Sequence, residues 1–468
     1  MNTWKKYVLW FAQEHVDFRL PELQSLLKLW NIPHKLSPKI EIEILKPFLH
    51  IELPSDEFAI QLASRSVAIK YVLEQWSSCA SLEAFHLELK KFLAHNSDNS
   101  NVQQCFDRSK SFRITVETYN KHFLQKEKID KIESLDYIPA KGDVNLKNPD
   151  VEWCYIEFYG MDTVNVPKQP DHIIFGKWIT DGNRALINEL SLKSRKFIGN
   201  TSMDPTLSIL MSNQALVKNG DLVFDPFVGS GSLLVAAAKC GAFVLGTDID
   251  YLMLHGKTKP TRVKQKVREQ DESILANLAQ YNCADSYVDV LVSDFSQSIW
   301  HKNIHFDSII TDPPYGIREA TEKIKTKTRR PIKQEWNEEP PHYPSKSQYS
   351  LSNLYVDLLR FAGKHLRIGG RLICWLPVYK SDYSEKNVPK TNFMRLVANS
   401  EQVLSSLTSR RLLTYEKIAE PSADCDDVIE QIDDFRAKFF ASGEETRQER
   451  KLRQAELKEI GRQEALKR

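Results

Sequence analysis

The chain has 468 residues, a hydrophobic content of 41% and a formal net charge of +2. That length supports two or three domains with a sizeable core, and the near-neutral balance excludes any argument for nucleic acid from global charge, leaving it to local clusters. The seven cysteines are scattered and form no C-x-x-C pair, which excludes a zinc or disulfide framework, so no metal is expected.

The N-terminal apolar run within MNTWKKYVLWFAQEHVDFRL is too short to cross a membrane and has no small-residue cleavage site. The expectation is a soluble, intracellular, cytoplasmic protein with no membrane partner. KKYVLWFA (5–12) predicts a strand, and RLPELQSLLKLW (19–30) a helix with Pro21 tolerated in its first turn. KIEIEIL (39–45) alternates cleanly and predicts a half-buried strand. A helix is expected over 82–95 and a polar loop over 95–104. Strands follow at 112–119, 153–160 and 172–179. Strands and helices mixed in this way, without regular alternation, indicate an α+β region.

After about residue 195 the pattern changes. MDPTLSILMSNQALV (203–217) reads as a helix with Asp204 as N-cap and Pro205 at its first position. A strand (DLVFDPF), a glycine turn and a helix (SLLVAAAKC) come next, then strands FVLGTDID, IHFDSIITD and GGRLICWLP, with helices at 272–281 and 351–366. Strand–helix–strand order means βαβ units and a parallel sheet. Residues 318–348 interrupt that sheet as a long loop, and residues 443–468 read as a charged, solvated helix.

Acids stand at the carboxyl ends of four successive strands. Asp225 precedes Gly229 and Gly231, whose lack of a side chain lets backbone approach a ligand closely. The spacing differs from the dinucleotide G-x-G-x-x-G turn. Asp248 is placed to take the ribose hydroxyls of a nucleoside, with Asp250 as the alternative. Asp294 is placed to accept from an adenine amino group, and Phe295 to cover the ring. Asp312 opens Asp312-Pro313-Pro314-Tyr315, in which the prolines stiffen the backbone and leave carbonyls without neighbouring N–H groups. Such acceptors hold both hydrogens of an exocyclic amine and localise its lone pair, while Tyr315 is placed to stack on the extruded base. No cysteine lies beside this motif, which argues against methylation at a ring carbon.

The ordered set resembles the S-adenosylmethionine-dependent methyltransferases of the exocyclic-amino type. The resemblance implies a Rossmann-like class I domain with S-adenosyl-L-methionine as cofactor. It assigns Asp204, Asp225, Phe227, Gly229, Gly231, Asp248, Asp294 and Phe295 to the cofactor, and Asp312, Pro313, Pro314 and Tyr315 to catalysis. Motif chemistry alone leaves DNA adenine, RNA adenine and RNA guanine N2 open, and a non-catalytic RNA-binding protein is the alternative from another class. YVLWFAQEHVDFRLPEL, FIGNTSMDPTLSILMSNQALV, DPFVGSGSLL and TDPPYGIRE together are similar to the eukaryotic tRNA guanosine N2-methyltransferases that modify position ten. That likeness implies a ferredoxin-like region (1–60), a THUMP domain (61–195), a methyltransferase domain (196–420) and a charged tail (421–468). It also implies two partners, tRNA and a small zinc-binding activator subunit. Arg318, Lys323, Lys325, Lys327, Arg329 and Arg330 lie just beyond the catalytic motif and are candidate contacts to RNA phosphates.

Overall fold

A computed structural model describes residues 4–262, 265–317, 319–325, 345–421 and 435 of the chain. It divides into two compact units, Met1–Ser194 with Asp204–Leu216, and Arg195–Met203 with Val217–Arg468.

The first unit is built on one seven-stranded sheet. Its strands are β1 (Lys5–Phe11), β2 (Lys35–Leu36), β3 (Phe48–Leu53), β4 (Ile69–Cys79), β5 (Phe112–Tyr119), β6 (Val151–Phe158) and β7 (His172–Asp181), in the order β2-β3-β1-β4-β7-β6-β5. Only β5 and β6 run parallel. β1 is apolar at every position from Tyr7 to Phe11 because both its faces are covered. Tyr7, Leu9 and Phe11 pack with Leu23 and Leu26 of the helix Arg19–Leu29, while Val8 and Trp10 pack with Phe48, Tyr71 and Phe158. Trp10 on β1 and Tyr119 on β5 are four strands apart, which is roughly 19 Å in a flat sheet. Their ring centroids are 6.5 Å apart, so the sheet curls round its own aromatic residues. Because β4 pairs with β1 on one side and β7 on the other, the sheet runs without a break across residue 60.

Two expectations change here. Residues 39–45 are not a strand, since Ile40–Glu43 form a helical turn with Ile42 69% exposed. The buried Arg19 guanidinium donates to the carbonyls of Ile44 (3.1 Å) and Lys46 (2.9 Å). Gathering nearby carbonyls on one cation turns the chain, which an extended strand cannot do, and β3 follows instead. Within 95–104 a short helix, Ser100–Gln103, replaces part of the loop.

The helix Pro205–Gln214 begins as expected. Asp204 caps it by accepting from the N–H groups of Thr206 (2.8 Å) and Leu207 (3.3 Å). It belongs to the first unit, where Asn213 donates to the buried Glu22 carboxylate at 2.7 Å. Glu22 also accepts from the Ser66 hydroxyl and the N–H groups of Val67 and Ala68, and burial pushes its carboxyl above the usual range.

The second unit carries β8 (Leu222–Asp225), β9 (Phe243–Asp248), β10 (Tyr287–Val292), β11 (Phe306–Thr311), the short ribbon β12 (Glu322–Ile324) and β13 (Lys346–Gln348), then β14 (Leu366–Tyr379), β15 (Met394–Val403) and β16 (Thr408–Lys417). The main sheet has the order β10-β9-β8-β11-β14-β16-β15. β10 to β14 are parallel, and the hairpin β15–β16 closes the sheet antiparallel. This is a Rossmann-like α/β unit, as expected. The strand order reverses between β8 and β11, and a crevice opens at the carboxyl ends of strands at such a point. Within the stretch 318–348 expected as a loop, the described residues form the β12–β13 ribbon, while residues 318, 326–344 and 443–468 lie outside the described residues.

Removing the Asn213 amide leaves the buried Glu22 short of a donor. Asn213→Ala is expected to lower the stability of the first unit by about 1–3 kcal/mol, read from urea unfolding of the full chain; an unchanged midpoint contradicts this role.

Candidate active site

The site is assembled at the carboxyl ends of β8, β9, β10 and β11. Asp225, at the end of β8, is buried. Its Oδ1 accepts from the Thr311 hydroxyl on β11 at 2.7 Å and from the Phe227 N–H at 3.0 Å. Burial, with Asp248 and Asp312 nearby, pushes this carboxyl up to about 7.

The glycine turn follows. Gly229 and Gly231 have φ of +50° and +76°, a region side chains rarely adopt. A Cβ on Gly231 would lie 2.7 Å from Ile274, so packing also requires glycine there. A Cβ on Gly229 meets nothing within 4 Å. The turn therefore presents bare backbone to open space. Asp248 fixes it to β9: one carboxylate oxygen accepts from the Gly229 N–H at 2.8 Å and the other from the Asp250 N–H at 2.9 Å. Burial holds Asp248 above the ordinary carboxylate range. Asp250 caps the next helical turn by accepting from the Met253 N–H.

Asp294 lies just beyond β10 and is buried. It accepts from the Ser296 N–H at 2.9 Å and from the Ile324 N–H of the ribbon at 2.6 Å. Phe295 packs on Phe227 with ring centroids 5.0 Å apart, so these two predicted residues form one aromatic wall.

Asp312 follows β11 directly. The Tyr315 hydroxyl donates to its Oδ1, and Arg410 Nη1 reaches its Oδ2 at 3.3 Å. Burial raises the Asp312 carboxyl and the arginine opposes that rise. Pro313 is buried and Pro314 half-buried. Tyr315 is half-buried against the aromatic core, so its hydroxyl has a role beyond the stacking expected of its ring. Two segments distant in sequence complete the site. Ser202 shares a 2.6 Å hydrogen bond with Ser230 of the glycine turn, and Met203 meets Arg410.

Among the candidate RNA contacts, Lys323 is half-buried with its ammonium over the Tyr349 ring, and Lys325 is exposed. Arg318, Lys327, Arg329 and Arg330 lie outside the described residues, and Asp204 serves as the helix cap in the first unit. Arg410 was missed. Its signal was the hairpin pattern of 394–417, two strand-like runs joined by LSSL.

The family model described as "Tmrp11 THUMP N-terminal domain" matches residues 5–184, and that described as "RMKL-like, methyltransferase domain" matches residues 193–338. The tRNA (guanine(10)-N(2))-methyltransferase TRMT11 of Homo sapiens is 45% identical over 418 residues, covering 89% of each chain. Its namesake in Gallus gallus is 44% identical over 416 residues, covering 89% of this chain and 88% of the relative. The Xenopus laevis protein of that name is 46% identical over 419 residues, covering 89% and 86%. The chain belongs to the tRNA (guanine(10)-N(2))-methyltransferase family.

In this family member, S-adenosylmethionine is the methyl donor. The residues present suit it: bare backbone at Gly229 faces open space, acids end the neighbouring strands, and Phe227 and Phe295 supply an apolar wall. Gly229→Ala is expected to cost about 1–2 kcal/mol of stability yet to weaken S-adenosylmethionine binding sharply in calorimetry. Gly231→Ala is expected to cost about 2–4 kcal/mol, because its new methyl meets Ile274. Equal affinity losses in two equally folded variants contradict this division.

Asp225 gives a pH test. Its folded carboxyl, at about 7, lies above its ordinary 3.8, so the folded state holds the extra proton and stability falls as pH rises between those values. The melting temperature of Asp225→Asn relative to the native chain is expected to rise steadily across that window; a constant difference contradicts it.

Proposed function

We infer that the chain transfers the methyl group of S-adenosylmethionine to the exocyclic N2 of guanosine 10 in tRNA. Family membership supplies the substrate and reaction. The observation that carries the chemistry is the position of Asp312-Pro313-Pro314-Tyr315 at the end of β11, beside the glycine turn that ends β8. The cofactor supplies an electrophilic methyl group on a sulfonium.

The chain's own residues prepare the nucleophile. The N2 lone pair of guanine is delocalised into the ring and attacks poorly. In our reading the Asp312 carboxylate accepts one amino hydrogen and the Pro313 carbonyl the other, which localises the lone pair on nitrogen. The two proline rings stiffen the backbone that carries this carbonyl. As nitrogen gains the methyl it loses one proton, and Asp312 takes it. Gly229 and Gly231 admit the methionine portion, Asp248 takes the ribose, and Asp294 and Phe295 hold the adenine. Lys323 and Lys325 leave the site on the ribbon toward RNA phosphate.

The organisation proposed for the chain is a ferredoxin-like start (1–60) and a THUMP region (61–195) binding tRNA, ahead of the methyltransferase region (196–420). A small zinc-binding activator and a cytoplasmic location complete the proposal. Edge strand β10 supports a partner. Among the described residues it has no neighbouring strand on its outer side, and Val288 and Val292 are 50% and 46% exposed, an open edge of the kind that proteins normally cover. Among the described residues, no helix is long and apolar enough to cross a membrane.

Asp312→Asn is expected to lower kcat by roughly 1,000-fold while S-adenosylmethionine affinity persists, read by methyl transfer to unmodified tRNA and by calorimetry. Joint loss of turnover and cofactor binding, or label appearing on adenine, contradicts the reading.

A further inference from the structure

Asp312 has a neighbour that no motif marks. Arg410 stands on β16, two strands from β11. Its register partners are Pro377 on β14 and Gln402 on β15. Trp375, two residues before Pro377, therefore shares its face of the sheet. The Arg410 guanidinium lies over the Trp375 ring at 4.0 Å from the centroid. Its Nε donates to Gln402 Oε1 at 2.7 Å. One face and one edge of the guanidinium are thus fixed. Nη1 is aimed at Asp312 Oδ2 at 3.3 Å and at the Tyr315 hydroxyl oxygen at 3.2 Å. Two strands span roughly 10 Å, and an arginine laid flat across an indole covers that distance.

The chemistry asked of Asp312 makes this bridge more than a brace. To accept an amino hydrogen and then a proton, the carboxyl must enter the reaction as an anion. Its surroundings oppose that. Burial removes water and raises the carboxyl, and the Asp225 carboxyl on β8 and the Tyr355 phenol on the helix Leu351–His365 are the other titratable groups that face it. The Tyr315 hydroxyl favours the anion by donating to it, and Arg410 is the cation that pairs with it.

We propose that Arg410 is a positioning residue, held by Trp375 and Gln402, that aims the Asp312 carboxylate and maintains it as an anion for the guanine amine. Arg410 does not touch the transferred methyl. It acts through Asp312, so the inference rests on the reading in which Asp312 accepts the amine. In the structure Tyr315 occupies Oδ1 and Arg410 approaches Oδ2. An incoming amine displaces the Tyr315 hydroxyl, whereas the arginine, gripped from two sides, stays.

The test is the pH profile of kcat for the full chain with its activator on unmodified tRNA, from about pH 5.5 to about pH 8.5. Arg410→Met is expected to lose roughly 100-fold in kcat at the acidic end and to recover toward the native value at the alkaline end, with its acid limb moved to higher pH. The affinity for S-adenosylmethionine stays native. Arg410→Lys restores part of the limb, since it returns the charge without the fork. Gln402→Ala, on edge strand β15, frees the Nε tether at little risk to folding and moves the limb the same way by less. A loss of kcat that is the same at every pH, or a limb that stays put in Arg410→Met and Gln402→Ala alike, overturns the proposal. Asp312→Asn run alongside separates the two readings. If it keeps turnover, the assignment of Asp312 itself falls; if it is inactive while the limb of the arginine variants stays put, only the role of Arg410 falls.

Discussion

Beyond the backbone ladder between β8 and β11, a buried side-chain hydrogen bond ties their carboxyl ends together. The Thr311 hydroxyl, on the last residue of β11, donates to the Asp225 carboxylate at the end of β8 at 2.7 Å. These strands flank the point where the strand order reverses. A parallel sheet necessarily opens a crevice there, because the connections on either side leave in opposite directions. Fastening the two strand ends sets how far the glycine turn after β8 stands from the aspartate and prolines after β11. Methyl transfer depends on that spacing, since most of the acceleration available to such a site comes from holding the reacting groups in line.

The carboxylates serve as scaffold first. Asp225 holds the hydroxyl of Thr311, Asp248 holds the backbone of the glycine turn, and Asp294 holds the ribbon that leads into residues 326–344. Each carboxylate oxygen has a second lone pair, so bracing does not exhaust its capacity to bind. In the proposed reading the residues that recognise the cofactor therefore also fix the strand ends, so changing one alters geometry together with affinity. Asp294 is tied to the ribbon carrying Lys323 and Lys325, so in the proposed reading one carboxylate links the adenine side of the site to the side proposed to face RNA.

Much of this was legible in the residues. Each strand-end acid was marked by an apolar run broken by Asp, and the double proline has few explanations other than a stiffened set of acceptors. The cap at Asp204 followed from Asp-Pro ahead of an apolar helix, and the structure has it. What was not legible depends on partners distant in the chain. The alternation of 39–45 was real, but the buried Arg19 gathers the carbonyls that follow and turns the segment. β4, at the centre of the first sheet, was not picked out, because Ile69–Cys79 is covered on both sides in its apolar half and polar at its end. For Arg410 the sequence offers only the hairpin that carries it, because its meaning lies in the register of β16 against β14 and in the indole it crosses. Nothing local in TSRRLLTYEK separates it from its neighbour Arg411, which pairs with Glu401 instead.

The most direct measurement is a structure of the chain with its activator, a tRNA and an unreactive S-adenosylmethionine analogue. The result expected is guanine 10 extruded into the crevice beyond the carboxyl ends of β8 and β11, its N2 within hydrogen-bonding distance of both the Asp312 carboxylate and the Pro313 carbonyl, and the analogue lying along Gly229. A guanine whose amine faces away from Asp312, or an analogue bound away from the glycine turn, would contradict the mechanism at its centre.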